Sequence, residues 1–394
     1  MTAHFPQETT PRLTANRVLA GASLGHFTND LLQSLLLASY PVFRGGFDLS
    51  FAQLGLMTFC YQITASLLQP VVGAVTDRRP MPFALPMAMV VSFSGLVVLA
   101  FAGSYAALLV GCVMLGCGSS IFHPEAARVA RLASQGSFGM AQSYFQLGGN
   151  AGSAVGPLVV AAVILPHGQQ AIAWFAPVAA AGVILLAAIA RWAHGRPAPA
   201  SRRRAGAAPV APVHVKRGIA ILLALMFSKF FYMASFSSYY VFYLAHRFGM
   251  GEGEAQMGLF VFLAAVALGT ILGGKLSDRL GTRAVIAISF WGALPFALAL
   301  PYAGLWLTMG LAVTVGFLMA SAFPAIVVHA QALMPGRVGM VSGLFFGLAF
   351  GMGGLGAALL GVAADHVGIE TVYAVCAFLP LFGLLIPLLP TSPE

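Results

Sequence analysis

The 394-residue chain is 59% hydrophobic and only 8% charged, with 45 glycines and a mean hydropathy of +0.89. A soluble domain carries about a quarter charged residues, so an ordinary water-soluble fold is excluded. The formal net charge of +9 does not mark a nucleic-acid binder, because the basic residues sort by membrane side rather than gathering in one patch.

Apolar stretches of about 20 residues, the length that crosses a bilayer core, recur along nearly the whole chain. They predict twelve spans, at roughly 18–43, 51–76, 83–102, 105–132, 139–165, 171–193, 218–246, 254–276, 284–301, 303–333, 339–364 and 368–390. The runs lack the alternating polarity of a barrel strand, so the fold class is an all-α membrane protein. The N-terminal 17 residues are polar and carry no signal-peptide pattern, which makes the first span an uncleaved anchor. All but three of the 20 Lys and Arg lie at the ends and loops of one side. Arg44 and Arg247 are on the other, and Lys229 falls inside a span. The excess of positive charge on one side predicts that both termini are cytoplasmic.

Span 1 carries His26, Asn29, Asp30 and Gln33. The spacing i, i+3, i+4, i+7 puts all four on one helix face. At 1.5 Å per residue Asp30 lies ~18 Å into the span, near the bilayer centre. An ionisable group there is costly and usually lines a cavity. Two readings stand: a protonatable carboxylate with His26 one turn away, or a hydrogen-bonded cluster that pins the helix. The hairpin after span 2 holds Gly73, Asp77 and Arg78. Span 4 ends in Gly118-Ser119-Ser120-Ile121-Phe122-His123-Pro124-Glu125 followed by Arg128 and Arg131. The proline kinks the helix, and Glu125 can relay protons or gate through Arg128, its i+3 neighbour; snorkelling to the interface is the alternative for both arginines. Span 5 aligns Gln142, Gln146, Asn150 and Ser153 as a polar wall, and Gly148, Gly152 and Gly156 permit close helix approach.

Residues 194–217, with Arg202-Arg203-Arg204 among Ala, Pro and Gly, read as a cytoplasmic linker. It divides the chain into units 1–193 and 218–394. In span 7, Lys229 lies ~17 Å deep on the same scale, and Tyr232, Phe236, Tyr239, Tyr240 and Tyr243 continue its face. An ammonium with an aromatic wall suits an anionic ligand, or a structural ion pair. Gly274, Asp278 and Arg279 repeat the first hairpin, and Gly343, Gly347 and Gly351 in span 11 answer the glycines of span 5. The four cysteines (60, 112, 117, 376) lie within spans and read as packing residues. No metal-ligand spacing, disulfide framework or cofactor motif is present in the sequence.

The two halves repeat each other at an offset of about 200 residues: Gly139-Met140 and Gly339-Met340, Phe145 and Phe345, Gly156 and Gly356, Pro124 and Pro324. A duplicated helical unit predicts a ligand site where the halves meet.

Gly73-Ala-Val-Thr-Asp77-Arg78 and Gly274-Lys-Leu-Ser-Asp278-Arg279-Leu-Gly281-Thr-Arg283 resemble the loop 2–3 and loop 8–9 signature of the major facilitator superfamily. The first copy departs after Arg78, where Arg79-Pro80-Met81-Pro82 follows. Gly152 to Pro157 is similar to the superfamily's span 5 antiporter motif, without its closing glycines. The resemblance implies two six-helix bundles and a gating role for Asp77, Arg78, Asp278 and Arg279, each Asp capping a helix of the other half. His26-Phe-Thr-Asn29-Asp30-Leu-Leu-Gln33-Ser34, Leu68-Gln69-Pro70, Phe122-His123-Pro124-Glu125, Phe227-Ser228-Lys229 and Gly339-Met340-Val-Ser-Gly-Leu-Phe-Phe-Gly resemble the bacterial fosmidomycin-resistance carriers within that superfamily. That resemblance implies a proton-driven inner-membrane efflux antiporter for an anionic phosphonate, working as a monomer among membrane lipids.

The combined expectation is alternating access, with Asp30 and Glu125 carrying protons and His26 and His123 assisting. Lys229 would hold the anion, and Tyr232, Tyr239, Gln142, Gln146, Asn150, Asn29 and Gln33 would line the cavity. A proton-coupled uptake symporter for a small organic anion or sugar phosphate is the nearest rival. A lipid-acting enzyme using His123 and Glu125 lacks a visible nucleophile, and a non-transporting sensor would bind without accumulation.

Overall fold

A computed structural model of the chain describes residues 12–78, 81–134, 138–196, 212–334 and 338–390. Among the described residues every regular element is helical, as expected where hydrocarbon offers backbone groups no other partner. In chain order they are α1 (Arg12–Ala38), α2 (Tyr40–Phe47), α3 (Phe51–Arg78), α4 (Ala84–Ala100), α5 (Tyr105–Ala133) and α6 (Phe138–Val159). A π-helical turn, Val160–Ile164, leads to α7 (Leu165–His167), then α8 (Ala176–Ala193), α9 (Pro212–Phe248), α10 (Glu252–Leu280) and α11 (Thr282–Ala299). The chain ends with α12 (Leu305–Leu333), α13 (Val338–Val367), α14 (Ile369–Cys376) and a 3₁₀ segment, Leu379–Leu388. The first turn of α9 reaches back to Pro212, into the stretch read as linker; residues 197–211 of that stretch lie outside the described residues.

Among the described residues ten helices are long and apolar enough to cross a membrane. The helix Ala84–Ala100 is apolar but has only 17 residues. The other expected span, α1, is not among the ten because its inward face is polar. Pro70, Pro124, Pro157 and Pro324 sit inside helices, and the π turn follows Pro157 within one turn. Such local re-pairing accommodates the hydrogen bond that proline cannot make.

Small residues set the closest crossings. On α6, a Cβ at Gly152 would run into the Phe27 carbonyl of α1. Ser23 Oγ on α1 donates to the Tyr144 carbonyl at 2.7 Å. α3 and α13 cross from opposite halves of the chain, and Ser66 Oγ donates to the Gly347 carbonyl at 2.5 Å.

At the end where α3 begins, the two halves are stitched together. The Asp365 carboxylate on α13 accepts the backbone N–H of Phe51 at 2.8 Å and of Ala52 at 2.7 Å. It caps the orphan donors of a helix belonging to the other half. Tyr239 donates its hydroxyl to the Ala357 carbonyl at 2.6 Å, and Gln256 Nε2 donates to the Ala38 carbonyl at 2.6 Å. His329 ties α12 to Thr282 at 2.8 Å and to the Pro390 carbonyl at 3.0 Å, a structural placement. A capping carboxylate is worth ~1 kcal/mol. Asp365→Ala is expected to speed amide exchange in the first turn of α3 by about fivefold, measured by hydrogen–deuterium exchange in nanodiscs; unchanged exchange would mean the cap is not closed in solution.

Candidate functional site

The face of α1 that the spacing predicts is turned inward. His26 and Asn29 are buried, Gln33 is nearly so, and Asp30 keeps 18% of its side-chain exposure. His26 stacks on Phe145 of α6, with ring centroids 4.0 Å apart. Its Nδ1 lies 2.8 Å from the Phe145 carbonyl oxygen. A carbonyl only accepts, so Nδ1 carries the hydrogen in this arrangement, which leaves Nε2 to face Asp30 Oδ2 at 3.3 Å. His123 arrives from α5, where the Ser119 hydroxyl lies 3.3 Å from its Nδ1. Its Nδ1 lies 2.9 Å from the Ser119 carbonyl oxygen, and its Nε2 faces Asp30 Oδ1 at 3.7 Å. The two imidazole rings meet edge-on at 5.1 Å.

Neighbouring groups hold this cluster. Asn29 Nδ2 donates to Asp30 Oδ1 at 2.9 Å. Gly149 of α6 faces it so closely that a Cβ would collide with both His26 and Asp30. Tyr61 of α3 donates to Gln33 Oε1 at 2.5 Å, and Ser119 Oγ lies 3.4 Å from the same oxygen. The His123 ring also lies 6.0 Å from Phe350 of α13, so the cluster reaches the second half of the chain. The donor atoms of His26, Asp30 and His123 all fall within 4.8 Å of one another. Two imidazoles and a carboxylate suit a divalent cation as well as protons. No spacing rule in the sequence anticipates the set, because His123 comes from another helix.

Two turns of span 4 hold a separate pair. Glu125 is fully buried, and Arg128 Nε donates to its two carboxylate oxygens at 3.0 and 2.9 Å, with the Arg128 terminal nitrogen also on Oε1. The i+3 relation read from the sequence is thus realised as a forked, charge-assisted pair, and Arg128 is not snorkelled away.

Lys229 lies on α9 with 5% exposure. Its ammonium sits 4.9 Å from the Phe230 ring centroid and 5.0 Å from that of Phe323. Both are within cation–π range. It makes no ion pair among the described residues, so the structural-pair reading has no counterpart there. Tyr232 is buried against Phe236, whereas the Tyr239 hydroxyl is committed to the seam described above. Gln146 and Asn150 are half-buried on α6. Among the described residues, Asn29 Oδ1, Gln33 Nε2 and Asn150 Nδ2 are buried without a hydrogen-bond partner. The side chains of Gln142, Asp77, Arg78 and Asp278 lie outside the described residues, and Arg279 is exposed near the end of α10. Sequence reasoning missed Tyr61, Ser119, Phe323 and Asp365, each of which acts across helices.

Helical architecture, a buried ionisable cluster in one half and a buried ammonium in the other define the class as a membrane carrier. The family model of the Major Facilitator Superfamily matches residues 22–266 and 221–394. The chain is 52% identical to the fosmidomycin resistance protein of Escherichia coli (strain K12) over 386 residues, covering 98% of this chain and 95% of that protein. It is 39% identical to the uncharacterized MFS-type transporter YfnC of Bacillus subtilis (strain 168), covering 97% and 95%. A bacterial homologue of the human lysosomal transporter Spinster, solved in an inward-facing and occupied conformation, shares the fold at a TM-score of 0.75 and 17% identity, covering 97% and 96%. This chain belongs to the major facilitator superfamily, and it is a membrane transporter rather than an enzyme.

Removing one partner of a buried ion pair costs about 3–5 kcal/mol, because it strands the other charge. Arg128→Met is expected to lower the thermal midpoint sharply in detergent, and the Glu125→Gln, Arg128→Met double variant to recover most of the loss. A single variant as stable as the parent would contradict the pairing.

Proposed function

We propose that this chain is a twelve-span carrier of the bacterial inner membrane that exports fosmidomycin, and other small anions like it, in exchange for protons. Both termini are cytoplasmic, and two six-helix units alternate access to a site between them. The reading draws its substrate from the relative at 52% identity and its chemistry from this chain's own residues.

The observation that carries it is Lys229. A buried ammonium with aromatic rings and no carboxylate partner among the described residues is expensive unless an anion joins it. A phosphonate supplies that charge and several acceptor oxygens. Gln33 Nε2 and Asn150 Nδ2, donors with no protein partner, can bond such oxygens, and Tyr232, Gln146, Asn29 and Gln142 line the approach. Tyr239 closes the outer end instead of holding substrate. Asp30, His26 and His123 form the proton-coupling group. Glu125, gripped by Arg128, acts with Asp77, Arg78, Asp278 and Arg279 in gating. No resident cofactor is required, and the carrier works as a monomer.

The energetics favour this direction. With the cell interior negative, expelling an anion is helped by ~2.3 kcal/mol per charge per 100 mV, and each proton entering in exchange gains as much again from the potential. Alternating access follows if protons and anion favour opposite openings of the site.

Fosmidomycin-driven proton movement in sealed proteoliposomes loaded with a pH dye tests the reading. The parent is expected to exchange, while Asp30→Asn and Lys229→Ala lose transport by tenfold or more (~1.4 kcal/mol per decade) and keep a normal elution profile. Exchange at the parent rate in either variant would remove that residue from the mechanism, and drug binding without flux would point to a sensor.

A further inference from the structure

We propose that His26, Asp30 and His123 form an exchangeable site for a divalent transition-metal ion of the Zn²⁺ class, and that an ion held there stops transport. The blocking role rests on the proton-coupled reading above, because the ion would take the side chains assigned there to coupling. The site itself does not depend on that reading.

The spacing of the donors is that of ligands around a common centre. His26 Nε2 lies 3.3 Å from Asp30 Oδ2, and His123 Nε2 lies 3.7 Å from Asp30 Oδ1. All three side chains offer a ligand atom within 4.8 Å of the others. Ligands held ~2.1 Å from a tetrahedral ion stand about 3.4 Å apart. The His26–Asp30 pair is at that spacing, and the His123–Asp30 pair is a few tenths of an ångström wider. At 3.7 Å the second pair is too long for a hydrogen bond, but it is within reach of a shared ion.

The rings are also aimed as ligands are. Metal-binding imidazoles turn their second nitrogen to a carbonyl or carboxylate, which fixes the ring and directs the first nitrogen at the ion. His26 Nδ1 lies 2.8 Å from the Phe145 carbonyl oxygen of α6, and His123 Nδ1 lies 2.9 Å from the Ser119 carbonyl oxygen of α5. Asn29 Nδ2 steadies the carboxylate by donating to Asp30 Oδ1 at 2.9 Å. Among the described residues no lysine or arginine pairs with Asp30. Arg128 is taken by Glu125, and Lys229 lies against Phe230 and Phe323. A carboxylate at this depth with only imidazoles around it favours a cation.

The donor chemistry selects the ion. Two imidazoles and one carboxylate suit Zn²⁺, Co²⁺ or Ni²⁺, whereas Mg²⁺ and Ca²⁺ prefer oxygen shells. Closed structural zinc sites use four protein ligands; three leave a position for water or an anionic oxygen. Asp30 and His123 each keep 18% of their side-chain exposure, so an ion can enter and leave. Once bound it ties α1 to α5. His123 passes that constraint toward α13, where the Phe350 ring centroid lies 6.0 Å from its own.

Tag-free parent protein in nanodiscs at neutral pH, given the metal alone, tests the site. ZnCl₂ is expected to bind at one ion per chain and to resist displacement by excess MgCl₂. Zinc X-ray absorption should show nitrogen and oxygen ligands at about 2.0–2.1 Å and no sulfur, which separates this site from Cys60, Cys112, Cys117 and Cys376. Asp30→Asn and His123→Gln should each weaken binding tenfold or more. No stoichiometric ion, sulfur in the shell, or parent affinity in both variants would overturn the site. In proteoliposomes, with free Zn²⁺ buffered at a saturating level, fosmidomycin-driven proton movement should slow tenfold or more. Unchanged flux through the zinc-loaded carrier would overturn the blocking role. Flux absent even without zinc, in protein that still binds one ion, would mark failure of the export reading instead.

Discussion

Everything distinctive about this protein depends on how a carboxylate is tolerated near the middle of an apolar helix bundle. Asp30 survives there because two imidazoles converge on it from different helices, and because each imidazole is aimed by a backbone carbonyl behind it. Carbonyl, ring and carboxylate follow one another in space on both the His26 and the His123 side.

This arrangement exists because glycine lets helices approach. The Phe145 carbonyl can reach His26 only if α6 lies nearly against α1, and Gly149 and Gly152 have no Cβ to hold it off. The same small-residue packing that serves membrane helices generally here sets distances in the site. On the other side, Lys229 lies against aromatic rings and makes no ion pair among the described residues. The seam that joins the halves, with Asp365 on the first amides of α3 and Tyr239 on the Ala357 carbonyl, is built from hydrogen bonds and small contacts.

What was legible in the sequence was whatever lies along one helix. The i, i+3, i+4, i+7 pattern found the polar face of α1, and the i+3 spacing found the Glu125–Arg128 pair. Span boundaries followed from hydropathy, and the polar face of α1 is also what lowers its apolarity below that of its neighbours. Contacts between helices were not legible. Nothing in the local pattern says that His123 meets Asp30, that Tyr61 meets Gln33, or that Lys229 has no carboxylate partner among the described residues. Tyr239 shows the limit well: it shares a face with Lys229, yet its hydroxyl is used at the seam, because depth along a helix decides what a side chain can reach.

The central claim is that anion binding and proton release are two sides of one equilibrium. Calorimetric titration of fosmidomycin into the purified carrier, in two buffers of different ionisation enthalpy, measures the protons released on binding. The account predicts release in the parent and none in Asp30→Asn. Tight binding with the same heat in both buffers would contradict it.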